Sequence, residues 1–463
     1  MKKYQFILLT TVLFVVLFYD ENLGLNLGIL GIAYAILTLV KTPERFRTKT
    51  FLALFTTSVL SSVAFAWYAD FPSFLAVVSS LFLLDFKSKN KELKSIFVVP
   101  IFAVNFVTFL CRFFKFDLWL PKRNTSGMTQ KIISMVLIPA FLLIVFFAIY
   151  SAGSDHFANL FSDYELDLNV WEFIALSCLG FFIAFNYWNF WIPKTFYKQN
   201  VYLKNDFLNE DKLAEPKSTY SFLDVDAERN SGVISLVALN ILLVFFIFTF
   251  NYEQFIEIAK TPNQLSAETH ERVNAVILSI VMAIAVIMFY FKGNFNFDKK
   301  ANSLKILAKI WIFLNAVLVI SAMVKNAEYV IDLGLTYKRL GVYAFLILSI
   351  IGLVFTFIKI QKQKTNAYLF NQMFWYFYGI ILVCSFVNWG GIIMYQNLRI
   401  KNFDFDYVFN EVHYNEKAIL EYVRKNKDVA LEDELKRRVS EKKSDSFLSK
   451  ILFYESIQFK EDK

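Results

Sequence analysis

The sequence predicts an all-α fold: a polytopic transmembrane helix bundle of about eleven spans (roughly ten to twelve), with a small helical C-terminal tail outside the membrane. Three observations predict it. Hydrophobic residues make up 57% of the 463 positions, against roughly 45–50% in an average soluble domain. Charged residues are 19%, below the usual value of about 25%. The apolar residues are bunched into long runs separated by short charged stretches, the pattern of membrane spans and not of a soluble core. About eleven runs of ~20 residues would occupy about half the chain. This excludes an ordinary soluble enzyme, a nucleic-acid-binding domain and a disordered chain. The net charge of +8 does not imply nucleic acid. The Lys and Arg flank apolar runs, where they orient helices in the lipid bilayer.

The first run, 4–19, follows Met1-Lys2-Lys3 and lacks a small-residue cleavage site, so it is expected to remain as a span. Further runs occupy 23–40, 51–69, 71–86, 95–114, 132–150, 170–192, 231–250, 272–291, 306–324, 341–358 and 370–393. Lys and Arg in short loops assign 41–50, 193–230, 292–305 and 359–367 to the cytosolic side. Loop 151–169 has no Lys or Arg, and with 251–271 and 325–340 it is assigned to the outside. A parity conflict arises at 87–94 and 111–131, which are both lysine- or arginine-rich yet flank a single run. Either 95–114, interrupted by Pro100 and Asn105, enters and leaves on one side, or the 16-residue run 71–86 fails to span. Charge favours the first. The result is eleven spans with the N-terminus cytosolic and the C-terminus extracytoplasmic.

The expected organisation is an N-terminal bundle (1–192), a polar connector (193–230) suited to docking on the membrane surface, C-terminal hairpins (231–393) and a soluble helical tail (394–463). From Arg399 onward the tail balances 14 basic against 14 acidic residues. Glu432/Lys436, Asp433/Arg437 and Glu434/Arg438 are spaced as i,i+4 ion pairs, beside a narrow stripe of Leu431, Leu435 and Val439. This reads as a few helices, mostly solvated, suited to packing on the outer face of the bundle.

The hairpins carry an internal pattern, N-x10-N-x-E followed by T-x-x-R. The first copy is Asn240, Asn251 and Glu253, then Thr269 and Arg272 opening the next helix. The second is Asn315, Asn326 and Glu328, then Thr336 and Arg339. Eleven residues is close to three helical turns, so paired Asn share one face. Asn can bond a neighbouring helix, Thr suits an N-cap and Arg reaches the interface. Two readings stand. Glu253/Arg272 and Glu328/Arg339 act as interfacial clips, or Asn251, Glu253, Thr269, Arg272, Asn326, Glu328, Thr336 and Arg339 line an outward polar binding pocket.

Asn186 and Asn189 are expected to bond between helices, and Lys309 to snorkel. Trp188, Trp191, Trp375 and Trp389 fit an interfacial aromatic belt. No Asp or Glu falls mid-span, which argues against a proton-coupled carrier. His156, His270 and His413 all map to the outer side but lack metal-ligand spacing. Cys111, Cys178 and Cys384 offer neither a disulfide framework nor a CxxC site. No catalytic residue, metal or cofactor is expected.

Glu328-Tyr329, Gly334-Leu335-Thr336 with Arg339-Leu340, and Asn388-Trp389 form one set of motifs. Thr269 to Asn274, and Asp406 to Leu420 with Tyr414-Asn415-Glu416-Lys417, complete it. Over about 230–425 the chain resembles a family of bacterial multi-pass membrane proteins classified only as a domain of unknown function. The resemblance implies a bacterial cytoplasmic (inner) membrane and carries no activity or substrate. The expected function is a non-enzymatic envelope scaffold, sensor or regulator that meets an envelope protein partner through its tail. The alternatives are a small-solute or lipid transporter and a membrane-embedded enzyme acting at the outer face.

Overall fold

A computed structural model describes residues 2–120, 135, 138–153, 169–213, 222–255, 262–400 and 403–459; the side chains of 262–272 lie outside this description. Among the described residues there are helices and no strands. The principal helices are α1 (Lys3–Phe18), α2 (Leu25–Lys41), α3 (Lys49–Tyr68), α4 (Phe71–Lys89), α5 (Val98–Val107), α6 (Phe109–Phe113), α7 (Ile138–Gly153), α8 (Val170–Trp188) and α9 (Val225–Phe255). They continue with α10 (Pro262–Tyr290), α11 (Asn302–Leu333), α12 (Tyr337–Gln361), α13 (Asn366–Phe386), α14 (Trp389–Asn397), α15 (Phe405–Asn410), α16 (Glu416–Asn426), α17 (Val429–Lys443) and α18 (Leu452–Glu455). Among the described residues eight helices are long and apolar enough to cross a membrane: α3, α4 and α8 to α13. α1 and α2 are shorter apolar helices. The chain is therefore a membrane protein built as an all-α bundle.

The chain divides into two units. The first comprises Met1–Lys91, Phe97–Pro193 and Ser444–Glu455. In it α1 packs on α8, α2 on α3 and α3 on α4, around Phe6, Phe14, Tyr34, Phe185 and Trp188. At one end the Asp20 N–H donates to the Glu172 carboxylate at 2.9 Å, and the Asn169 N–H donates to the Tyr19 hydroxyl at 2.7 Å. The tail segment joins this end: the Leu25 N–H donates to Lys450 O and the Asn26 N–H to Leu448 O, both at 2.9 Å.

The other end gathers around the C-terminus of α8. α4 is one unbroken helix of 19 residues, whereas the run 95–114 breaks at Thr108 between α5 and α6. Asn105 Nδ2 donates to Trp191 O at 2.8 Å, and its Oδ1 accepts from the Trp191 N–H at 3.0 Å. Arg112 donates to Asn189 O at 2.8 Å, to Asn105 O at 2.6 Å and to Asn186 Oδ1 at 2.5 Å. Both the middle and the end of the run are thus tied to the turn that closes α8, so it stays at one end of the unit. Trp188 departs from the aromatic-belt expectation. It is fully buried, stacked on Phe6 at 4.9 Å, with its Nε1–H donated to Thr10 at 3.0 Å.

The second unit comprises Glu92–Ile96, Lys194–Lys443 and Ser456–Lys463. α11 packs against α9, α10 and α12, and α12 against α13, around Leu236, Val276, Ala308, Leu318, Val319 and Leu346. The connector does not lie free. Thr365 N–H donates to Asn205 O at 3.2 Å, and Asn371 Nδ2 donates to Leu203 O at 3.0 Å. Gln363 Nε2 donates to Asn296 O at 2.9 Å, and Arg229 pairs with Asp298 at 2.9 Å. The three lysine-bearing loops of this unit therefore meet at one end of it, as their charge pattern requires. The last apolar run, 370–393, is interrupted at Val387 and Asn388, where α13 gives way to α14.

The close approach of α2 and α3 depends on Gly28, where a Cβ would fall 2.8 Å from Ala66 Cβ and from Ser62 O. Gly28→Val is expected to destabilise the first unit by about 1–3 kcal/mol through overpacking, read as a lower melting temperature of the purified protein in detergent. Parental stability would mean that the two helices do not pack this tightly.

Candidate functional site

The motifs singled out in the sequence converge at one end of the second unit. α11 has 32 residues, roughly 48 Å at 1.5 Å per residue, against a hydrocarbon core of about 30 Å. Its apolar run ends near Val324, so the stretch from Lys325 to Leu333 and the turn into α12 extend past the apolar zone. Gly334 closes α11 at φ +86°, a conformation that an L side chain rarely adopts. Thr336 caps α12 by accepting the Arg339 N–H at 3.4 Å.

Arg339 turns back onto this turn. Its guanidinium donates to Leu333 O at 2.9 Å and to Gly334 O, and it lies 3.9 Å from the centre of the Tyr329 ring. It makes no ion pair with Glu328, so the clip expected between them is replaced by a backbone clasp. The orphan carbonyls at the end of α11 attract the cation more directly than a half-exposed carboxylate does. Asn326 is buried and donates to Arg339 O at 3.3 Å, bridging α11 and α12.

Asn397, at the end of α14, completes the clasp. Its Oδ1 accepts the Leu335 N–H at 2.5 Å and its Nδ2 donates to Leu335 O at 3.1 Å. Asn388 caps α14 through the Gly391 N–H at 2.8 Å and donates to Tyr414 O at 3.0 Å. Asn415 Nδ2 donates to Val408 O at 2.8 Å, and the Tyr337 N–H donates to the Tyr407 hydroxyl at 3.1 Å. Val330, Leu335, Ile393, Met394, Val408 and Ile419 form a shared apolar cluster. The tail helices stay mostly solvated, as expected, and seat a narrow apolar face on the hairpin, where Val408, Ile419, Leu420, Val423 and Leu435 are buried.

The first copy of the repeat behaves differently. Asn240 donates to Leu236 O at 2.7 Å and across to Leu307 O of α11 at 3.2 Å. Among the described residues Asn251 bonds within its own helix, to Ile247 O at 2.7 Å. Glu253 sits in the last turn of α9. Thr269 lies eight positions into a helix that starts at Pro262, so it does not open α10. The side chains of Thr269, His270 and Arg272 lie outside the described residues, as does His156. His413 is exposed, its ring 6.3 Å from that of Tyr414. Among the described residues no three of His, Cys, Asp and Glu come together as a metal site.

The chain belongs to a family described as a domain of unknown function (DUF4153). The match runs over residues 7–421, so the family takes in the N-terminal helices as well as the motif-bearing end, and stops within α16. No curated protein and no solved structure matches the chain.

α17 lies beyond that match and carries an ion-pair network. Glu432 meets Lys436 and Arg424, each at 3.0 Å, and Glu434 meets Arg438 at 2.9 Å. The expected Asp433/Arg437 pair does not form, because Arg437 pairs with Glu434 at 2.9 Å and Glu441 at 2.8 Å. Hydrogen bonds from Lys436 and Arg424 hold the Glu432 carboxyl below the usual glutamate range, and those from Arg438 and Arg437 do the same for Glu434. Sequence reasoning missed Asn397 and Tyr407, since isolated polar residues beside an apolar segment carry no spacing signal.

Asn397→Ala removes both bonds to Leu335 and is expected to cost about 1–3 kcal/mol, read as faster limited proteolysis between α14 and α15. Unchanged proteolysis would mean the clasp does not hold the tail. The depressed carboxyls of Glu432 and Glu434 stabilise α17 above the ordinary glutamate pKa of about 4.3, and this contribution fades as pH falls through their lower folded values. Hydrogen exchange in α17, corrected for intrinsic rates, should therefore rise in acid for the parent and stay flatter for Glu432→Gln/Glu434→Gln.

Proposed function

We propose that this membrane protein resides in a bacterial cytoplasmic (inner) membrane, with its N-terminus cytosolic and its C-terminus extracytoplasmic. In this reading it acts without catalysis, as a scaffold, sensor or regulator whose tail meets a protein of the envelope. One observation carries the reading: the tail seats its apolar face on the α11–α12 turn and leaves a charged helix outward. The Arg437 and Glu441 side chains are each 62% exposed although they are paired with each other. Such a surface offers polar contacts that a partner can take over at small desolvation cost.

The motif residues support the same reading. Thr336, Arg339, Asn388 and Asn397 are engaged with backbone groups of the turn and tail. Their hydrogen bonds hold a platform together. Asn326 joins the same platform through Arg339 O. The family match carries no activity.

A photo-crosslinking residue at Arg437 is expected to give discrete protein adducts in cells, while the same probe at Val354, on the apolar face of α12, gives none. Turnover of a substrate by the purified chain alone would overturn the non-catalytic reading. Orientation is tested separately with His413→Cys in a background where Cys111, Cys178 and Cys384 are replaced. A membrane-impermeant thiol reagent should label it in intact spheroplasts. Labelling only after lysis would invert the threading.

A further inference from the structure

We propose that the first unit binds an anionic phospholipid, with the phosphate on Lys41 and Lys89 at the C-terminus of α8 and one acyl chain in the cavity that begins beside the same turn. Lys89 Nζ lies 2.7 Å from the buried Asp85 carboxylate and donates to Tyr187 O at 3.1 Å. Lys41 Nζ donates to Trp188 O at 3.4 Å and sits 4.6 Å over the Trp188 ring. The two ammonium groups therefore stand on consecutive carbonyls of one helix end.

Counting donors and charges shows what this end lacks. An ammonium has three N–H donors; Lys89 uses two and Lys41 one. Arg112, buried on the neighbouring carbonyl of Asn189, has an Nε–H without an acceptor among the described residues. Among the described residues of this unit Asp85 is the one buried carboxylate. Three cations thus share one buried acid and the partial charge of a helix terminus, leaving both net positive charge and unused donors. A phosphate diester supplies acceptors and a single negative charge. Basic pockets between membrane helices bind anionic headgroups on this principle.

The same end of α8 also lines a cavity of about 270 Å³ between α1, α2, α4, α5 and α8. Its wall is apolar, with Phe14, Val78, Phe82 and Phe102, and its polar edge is Asn186 and Tyr187. Asn186 is the residue that holds Arg112, and Tyr187 the one whose carbonyl holds Lys89. Lys89 Nζ also lies 4.7 Å over the Phe190 ring, which stacks on Phe102 at 4.5 Å. The cations and the cavity wall are therefore linked through α8 and its final aromatic residues. An apolar cavity joined to a cationic edge fits an amphiphile with an anionic head better than a free anion or a neutral lipid.

The test uses the full chain, delipidated in detergent and titrated with phosphatidylglycerol or phosphatidylcholine of identical acyl chains, with adducts counted by native mass spectrometry. The parent is expected to prefer phosphatidylglycerol by about tenfold or more. The preference should vanish in Lys41→Gln/Lys89→Gln and persist in Lys41→Arg/Lys89→Arg. It should also persist in Lys49→Gln/Lys91→Gln, which removes two exposed lysines instead. Val78→Trp, which fills the cavity and keeps the charges, should weaken both lipids. An unchanged preference in the double glutamine variant would overturn the proposal, as would an equal loss in the exposed-lysine variant. Displacement of phosphatidylglycerol by millimolar inorganic phosphate with no effect of Val78→Trp would reduce the site to a free-anion site and also overturn it. If the double glutamine variant does not fold, Lys41→Gln alone decides, because Lys41 makes a single hydrogen bond in the unit.

Discussion

A helix that ends where water is scarce exposes carbonyls that something must bond, and this constraint organises both units. At the end of α8, Lys89, Lys41 and Arg112 take the carbonyls of Tyr187, Trp188 and Asn189 in succession. At the end of α10, the fully buried Lys359 donates to Phe291 O at 2.7 Å, and Asn366 donates to Met288 O at 3.0 Å. At the end of α11, Arg339 and Asn397 do the same for the turn around Gly334. Cations dominate because the helix C-terminus carries partial negative charge, so one side chain both satisfies an acceptor and opposes the dipole.

The opposite helix ends are closed by short polar side chains. Thr48, Asp70, Thr336, Thr365 and Asn388 each accept the N–H three positions on. Lys and Arg accordingly have two roles in this chain. Some lie in loops between the apolar helices, while others, buried or half-buried, act as caps.

The length of α11 ties fold to function. A helix that overshoots the bilayer carries Val330 and Leu335 past the apolar zone, and these residues need cover. The tail supplies it with Val408, Val412, Ile419 and Val423. The motif residues are therefore shared between hairpin and tail, and the pattern recurs imperfectly in α9 and α10. There the Asn residues keep their helix positions, but Thr269 falls inside a helix and does not open it.

Several features were legible in the residues alone. Long apolar runs bounded by lysines determined the class, the spans and the alternation of loops in the second unit, because desolvating a peptide group in lipid leaves few alternatives to a helix. The capping role of Thr336 followed from its residue type and position. Other features required the tertiary structure. The expected Glu328/Arg339 clip became a clasp on carbonyls, and Asn186 turned out to hold Arg112. Asp85, at the end of an apolar run, became the buried partner of Lys89. These outcomes depend on which helix end lies within about 3 Å of which side chain. That proximity is set by packing between helices distant in sequence, and no local spacing encodes it.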